Sequence, residues 1–156
     1  MFSQIFFIFL LLCASFCAFH ISRSDFRRRI IPDVYLFPLM LTGLILISFY
    51  NWPIDISGAT IGATFGYFIS AFTGFLFDSY LRKHNPDAVA PIGMGDIKLI
   101  GIGGLWLGTT GLSIALIIAC LTGGLWARIK HQRYIPFAPF FILGGILSLI
   151  GVTFLL

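Results

Sequence analysis

Six long apolar runs, broken only by short polar clusters, leave this chain few ways to fold. They cover residues 4–21, 34–50, 56–77, 97–110, 111–127 and 137–156. A membrane-spanning helix takes roughly 20 residues, so the runs fill nearly all of the 156 residues. Composition agrees. The chain is 58% hydrophobic and 10% charged, and its mean hydropathy is +0.99. A soluble domain of this size has too much surface to hide so much apolar side chain. Disorder requires the opposite composition. The expectation is an all-α polytopic membrane protein of about six transmembrane helices, forming one membrane-embedded domain over residues 1–156.

The first run does not read as a secretory signal. Such a signal carries a basic segment ahead of its apolar core, and the first cation here is Arg23. The cations instead report orientation. Arg23, Arg27, Arg28 and Arg29 follow the first run, Arg82 and Lys83 follow the third, Lys98 opens the fourth, and Arg128, Lys130 and Arg133 follow the fifth. With six crossings, all ten fall on one side. The two connections on the other side, 51–55 and 108–111, hold none. The positive-inside rule makes the basic side cytoplasmic and turns both termini outward. The net charge of +4 is then explained by membrane lipid, and no nucleic-acid partner is expected.

The six acids are all aspartates. Asp55 falls in an outer connection, and Asp78 and Asp87 fall in a polar loop; these three read as solvated surface. Asp25 sits just past the cytoplasmic end of the first run, and Asp96 closes Gly93-Met94-Gly95-Asp96 and opens the fourth. The two are 71 residues apart, but two crossings return the chain to one side. The fourth run offers about 14 residues, or roughly 21 Å of helix against a core about 30 Å thick. Asp96 would therefore start below the membrane surface, in a water-filled cavity that Asp25 also lines. Ionisable groups at such depth are functional candidates. Two neighbouring carboxylates share one proton. The ionised member can then deprotonate water while the protonated one polarises a peptide carbonyl. The glycines before Asp96 leave a bare backbone edge for a substrate strand. The plainer alternative stays open at this point: Asp25 paired with neighbouring arginines, and Asp96 an ordinary helix N-cap.

Taken together, the motifs are more specific. Asp25 with Ile31-Pro32-Asp33, Gly93-Met94-Gly95-Asp96-Ile97-Lys98-Leu99, and Gly104-Leu105-Trp106-Leu107-Gly108 resemble, in order, the signatures of the prepilin leader peptidases, a family of GxGD intramembrane aspartic proteases. Gly66-Tyr67 and Ile135-Pro136-Phe137-Ala138-Pro139-Phe140 extend the likeness. The resemblance implies that Asp25 and Asp96 are catalytic. It implies removal of the leader peptide from type IV prepilins or type II secretion pseudopilins, at the cytoplasmic face of the bacterial inner membrane. Gly93, Met94, Gly95, Asp33 and Lys98 are expected to support the site or bind substrate, with Asp33 supporting or capping a helix. Lys98 reads first as a snorkelling anchor and second as a cation tuning the aspartate pair.

The sequence departs from the family pattern in three places. Many members carry an N-terminal cytoplasmic insertion with paired Cys-x-x-Cys motifs, linked to N-methylation; Cys13, Cys17 and Cys120 lie instead in apolar runs. Protease without N-methyltransferase activity is therefore expected, with no metal and no cofactor. A Gly-Met pair that many members carry ahead of Gly-x-Gly-Asp is missing, and the interval from Asp25 to Asp96 is slightly long. His20, His84 and His131 are too scattered for a metal site. Trp52 reads as an interfacial aromatic. Gly58, Gly62 and Gly66 form a small-residue face, for which internal helix packing is favoured over a homodimer contact. The competing functions are a small proton-coupled transporter and a catalytically silent pilus or secretion assembly subunit.

Overall fold

The computed structural model describes residues 2–50, 52–84, 92–131 and 135–155. Asp87 and Arg133 lie outside the described residues. Five helices follow in order: α1 (Phe2–Arg28), α2 (Asp33–Phe49), α3 (Ile56–His84), α4 (Met94–Lys130) and α5 (Phe137–Leu155). The chain is an all-α membrane protein. The segments Phe2–Arg28, Ile56–Lys83 and Met94–Lys130 are each long and apolar enough to cross a bilayer, and Asp33–Phe49 and Phe137–Gly151 are shorter apolar helices.

The helices outrun the apolar segments that seed them. α1 continues through the first basic cluster to Arg28. Its buried positions are Leu10, Ala14, Cys17, Ile21 and Asp25, a stripe at helical spacing that carries Asp25 into the packed interior. Asp25, past the end of the apolar run, is thus still a residue of the helix. α3 likewise runs past its apolar stretch to His84. Asp78, expected in a loop, lies on this helix and pairs with Arg82 one turn on at 2.9 Å. Asp55 begins α3: its Oδ1 accepts the Gly58 backbone N–H at 2.9 Å, an N-cap contact.

The fourth and fifth apolar runs form the two halves of α4, joined at a single break. Gly108 has φ 65° and ψ −176°, backbone that only glycine adopts easily. The packing shows that the chain reverses there. A Cβ on Gly103 would meet the Phe141 ring, and one on Gly123 would meet Phe140. Residues 103 and 123 therefore stand at the same level of α5, whereas 20 residues of straight helix would separate them by about 30 Å. Residues 94–107 run antiparallel to α3 and parallel to α5, and residues 109–130 return antiparallel to α5. The connection expected over 108–111 is a one-residue turn.

Close backbone approach holds this hairpin against α3. A Cβ on Gly62 would strike the Gly104 carbonyl oxygen, and one on Gly104 would strike that of Gly62. A Cβ on Gly66 would lie 2.9 Å from the Ile100 oxygen and 2.8 Å from Leu112 Cδ2. The small-residue face is used for internal packing at Gly62 and Gly66. Gly58 instead sits beneath the Asp55 cap. At the far end, Trp106 Nε1 donates to the Leu39 carbonyl at 3.0 Å, and Trp52 Nε1 donates to the Trp106 carbonyl at 3.1 Å. These bonds tie α2 and the α2–α3 connection to α4.

Candidate functional site

The site forms where the last turn of α1 meets the first turns of α4 and α5. Asp25 is 5% exposed. Its Oδ2 accepts the backbone N–H of Ala138 at 2.8 Å. Ala138 is the second residue of α5, so the carboxylate occupies a helix N-terminus, where free N–H groups and the helix dipole favour an anion. Pro136 and Ala138 are themselves buried, which fixes the donor from behind. The rings of Phe26, Trp126 and Phe140 meet in series, the first pair edge-on and the second tilted, with centroids 5.9 Å apart, binding α1, α4 and α5 just beside the carboxylate. Arg29 contributes positive charge close to Asp25.

Asp96 stands in the first turn of α4, partly buried. Its Oδ2 accepts the Gly93 backbone N–H at 3.2 Å, so the side chain folds back to close the turn. Asp25 and Asp96 lie close enough for the charge of one to act on the other. The fold thus brings together the two acids singled out in the sequence.

The supporting residues divide. Met94 is exposed. Gly95 is a close-approach position: a Cβ there would lie 2.8 Å from Ile31 Cβ. The bare edge at Gly95 therefore already receives this chain's own α1–α2 connection. Asp33 caps nothing. Pro32 is the N-cap of α2, with no side-chain cap bond, and the Asp33 carboxylate takes both its oxygens to Lys98 Nζ, at 2.9 and 2.7 Å. Lys98 is thus paired across 65 residues and does not merely snorkel. Two residues at about 100° each place it nearly opposite Asp96 on the helix, so its ammonium does not face the aspartate pair.

A groove of about 580 Å³ lies between α2, α3 and the first half of α4, walled by Phe37, Met40, Tyr67 and Phe68 and reaching Asp33 and Lys98. It opens on the Lys98 face of α4, away from the carboxylates. Sequence reasoning missed two features of the site. One is the Ala138 N–H, a backbone donor that no residue type announces; the flanking Pro136 and Pro139 were its signal, since they mark a helix start. The other is the Asp33–Lys98 pair. Among the described residues, no group of three or more His, Cys, Asp or Glu side chains could hold a metal ion.

A family model described as the type IV leader peptidase family matches residues 5–128. The chain belongs to that family. It is similar to the prepilin leader peptidase/N-methyltransferase of Burkholderia pseudomallei, 33% identical over 145 residues, covering 88% of this chain and 44% of that protein. The protein of the same name from Escherichia coli is 33% identical over 135 residues, covering 83% of this chain and 57% of its own. That of Aeromonas salmonicida is 29% identical over 133 residues, 81% and 43% respectively. The chain spans about half the length of these curated relatives. No solved structure matches it. The matched region includes both Asp25 and Asp96, whereas Ala138 lies beyond it.

Proposed function

We propose that this chain is an intramembrane aspartic endopeptidase that removes the leader peptide of type IV prepilins or pseudopilins, with Asp25 and Asp96 as its catalytic pair. The observation that carries the reading is the meeting of these two carboxylates, 71 residues apart, at the N-terminal turns of α5 and α4. The relatives' names support prepilins as substrates, and pseudopilins enter through the resemblance of the motifs. Prepilins and pseudopilins are the partners, and membrane lipid surrounds the bundle.

The chemistry follows from a shared proton. The ionised carboxylate accepts a proton from water as the water oxygen attacks the scissile carbonyl carbon. The protonated carboxyl gives its proton to the carbonyl oxygen, so that a gem-diol forms and the two carboxyls exchange protonation states. Collapse re-forms the carbonyl, breaks the C–N bond and returns a proton to the leaving amine. The Ala138 N–H holds Asp25 in one orientation throughout. Cleavage should peak at intermediate pH and fall on both sides, because each extreme destroys the singly protonated pair.

The cytoplasmic face of the inner membrane is the proposed place of action. The ten cations support it, since Arg27, Arg28, Arg128 and Lys130 lie at the same end of the bundle as the carboxylates. The reading extends to peptide hydrolysis and not to the methyl transfer also named for the relatives. The test is cleavage of a purified prepilin by the purified protein in detergent or liposomes. Asp25→Ala and Asp96→Ala should each reduce it by about 10³-fold or more. A transporter or a silent assembly subunit would leave no cleavage in the wild type to lose.

A further inference from the structure

We infer that Asp33, Lys98 and Ser24 are positioning residues, which fasten the α1–α2 connection to the first turn of α4 and so hold Asp25 and Asp96 in register. The inference rests on the proteolytic reading of that pair. Three separate contacts build the fastening. Ser24, next to Asp25 on α1, donates its hydroxyl to the Ile30 carbonyl at 2.9 Å. This folds the connection back onto the end of α1, and the Arg29 N–H donates to the Asp25 carbonyl oxygen at 3.0 Å in the same turn. Ile31 then packs on Gly95, where a side chain would collide with it. Asp33 finally grips Lys98 with both carboxylate oxygens.

The path therefore runs from Asp25 through Ser24, Ile30, Ile31 and Gly95 to Asp96, and the ion pair locks it two residues further along α4. Its geometry separates it from the chemistry. Lys98 points away from the carboxylates and into the groove beside α2, so neither member of the pair is placed to touch the reacting atoms. Its exposure separates it from bulk stability. The side chains of Lys98 and Asp33 are 42% and 50% exposed, so little packing is lost when either is replaced. What such a pair does supply is a fixed separation between two elements. Misplacement of reacting groups by about 1 Å can cost 10²-fold in rate.

The experiment is a charge-exchange series on the full chain, read by prepilin cleavage at saturating and subsaturating substrate. Asp33→Lys and Lys98→Asp should each lower kcat by about tenfold or more while KM stays within about twofold. The Asp33→Lys/Lys98→Asp double variant should recover most of the loss, because the pair is re-formed with its charges reversed. Ser24→Ala should lower kcat in the same sense, and Ser24→Thr, which keeps the hydroxyl, should restore it. The melting temperatures of the single variants should stay at the wild-type value. Single variants with wild-type kcat would overturn the inference while leaving the proteolytic reading intact. So would a double variant no better than the singles, or a loss confined to KM, which would make the pair a substrate contact. A wild type that cleaves no prepilin would overturn both.

Discussion

Asp25 combines two roles that can be separated by substitution. Its carboxylate is buried and accepts the Ala138 N–H, so removing it leaves a buried donor unpaired, at a cost of about 1–3 kcal/mol. Asp25→Ala should lower the melting temperature in detergent. Asp25→Asn keeps an acceptor oxygen at the same place and should melt close to wild type, yet it should be as inactive as the alanine variant. Equal melting of the two variants would show that the bond to Ala138 contributes nothing. At this scale the acids were legible in the sequence, because an aspartate within or beside apolar runs stands out and both fall inside short motifs. The partners were not. The donor to Asp25 is backbone, and the cation that holds Asp33 comes from 65 residues away, on a helix whose register only the folded bundle fixes.

Among the elements, glycine placement decides how tightly α3 meets α4. Gly62 and Gly104 each sit against the other's carbonyl, so a methyl group at either must push two backbones apart. Gly62→Ala and Gly104→Ala should destabilise by about 1–3 kcal/mol. Gly124→Ala is the control. Nothing lies within 4 Å of its Cβ position, and alanine is the better helix former, so it should melt at or above wild type. Gly108→Ala should also destabilise, by about 1–3 kcal/mol, because the turn requires a φ of 65°. These four melting temperatures, measured side by side, check the element packing directly. The sequence located the apolar runs well but misjudged their ends. Hydropathy marks where a helix leaves lipid, not where its hydrogen bonding stops, and so the polar ends of α1 and α3 read as loops. The turn at Gly108 read as a four-residue connection because a one-residue reversal leaves no polar trace.

At the scale of the bundle, the cations that end α1 and α4 gather at one end with the site. Arg27 and Arg28 end α1, and Arg128 and Lys130 end the second half of α4. The N-terminal turns of α4 and α5, which hold the carboxylates, lie at that end too. Trp52 marks the opposite end, against the Trp106 ring at 5.3 Å. Orientation in the membrane is then testable with one exposed position. In a background with Cys13, Cys17 and Cys120 replaced by alanine, Met94→Cys should react with a membrane-impermeant maleimide in inside-out vesicles and not in intact cells. The reverse labelling would place the site on the outer face and remove the cation argument.

Leader removal by purified protein, comparing the wild type with Asp25→Asn and Asp96→Asn, tests the catalytic pair itself. Each substitution keeps the size and hydrogen-bonding shape of the side chain and removes only its ability to carry and exchange a proton. The wild type should release the leader, and either variant should lose cleavage by about 10³-fold or more while remaining folded. Folded variants that cleave at the wild-type rate would contradict the catalytic role of the pair.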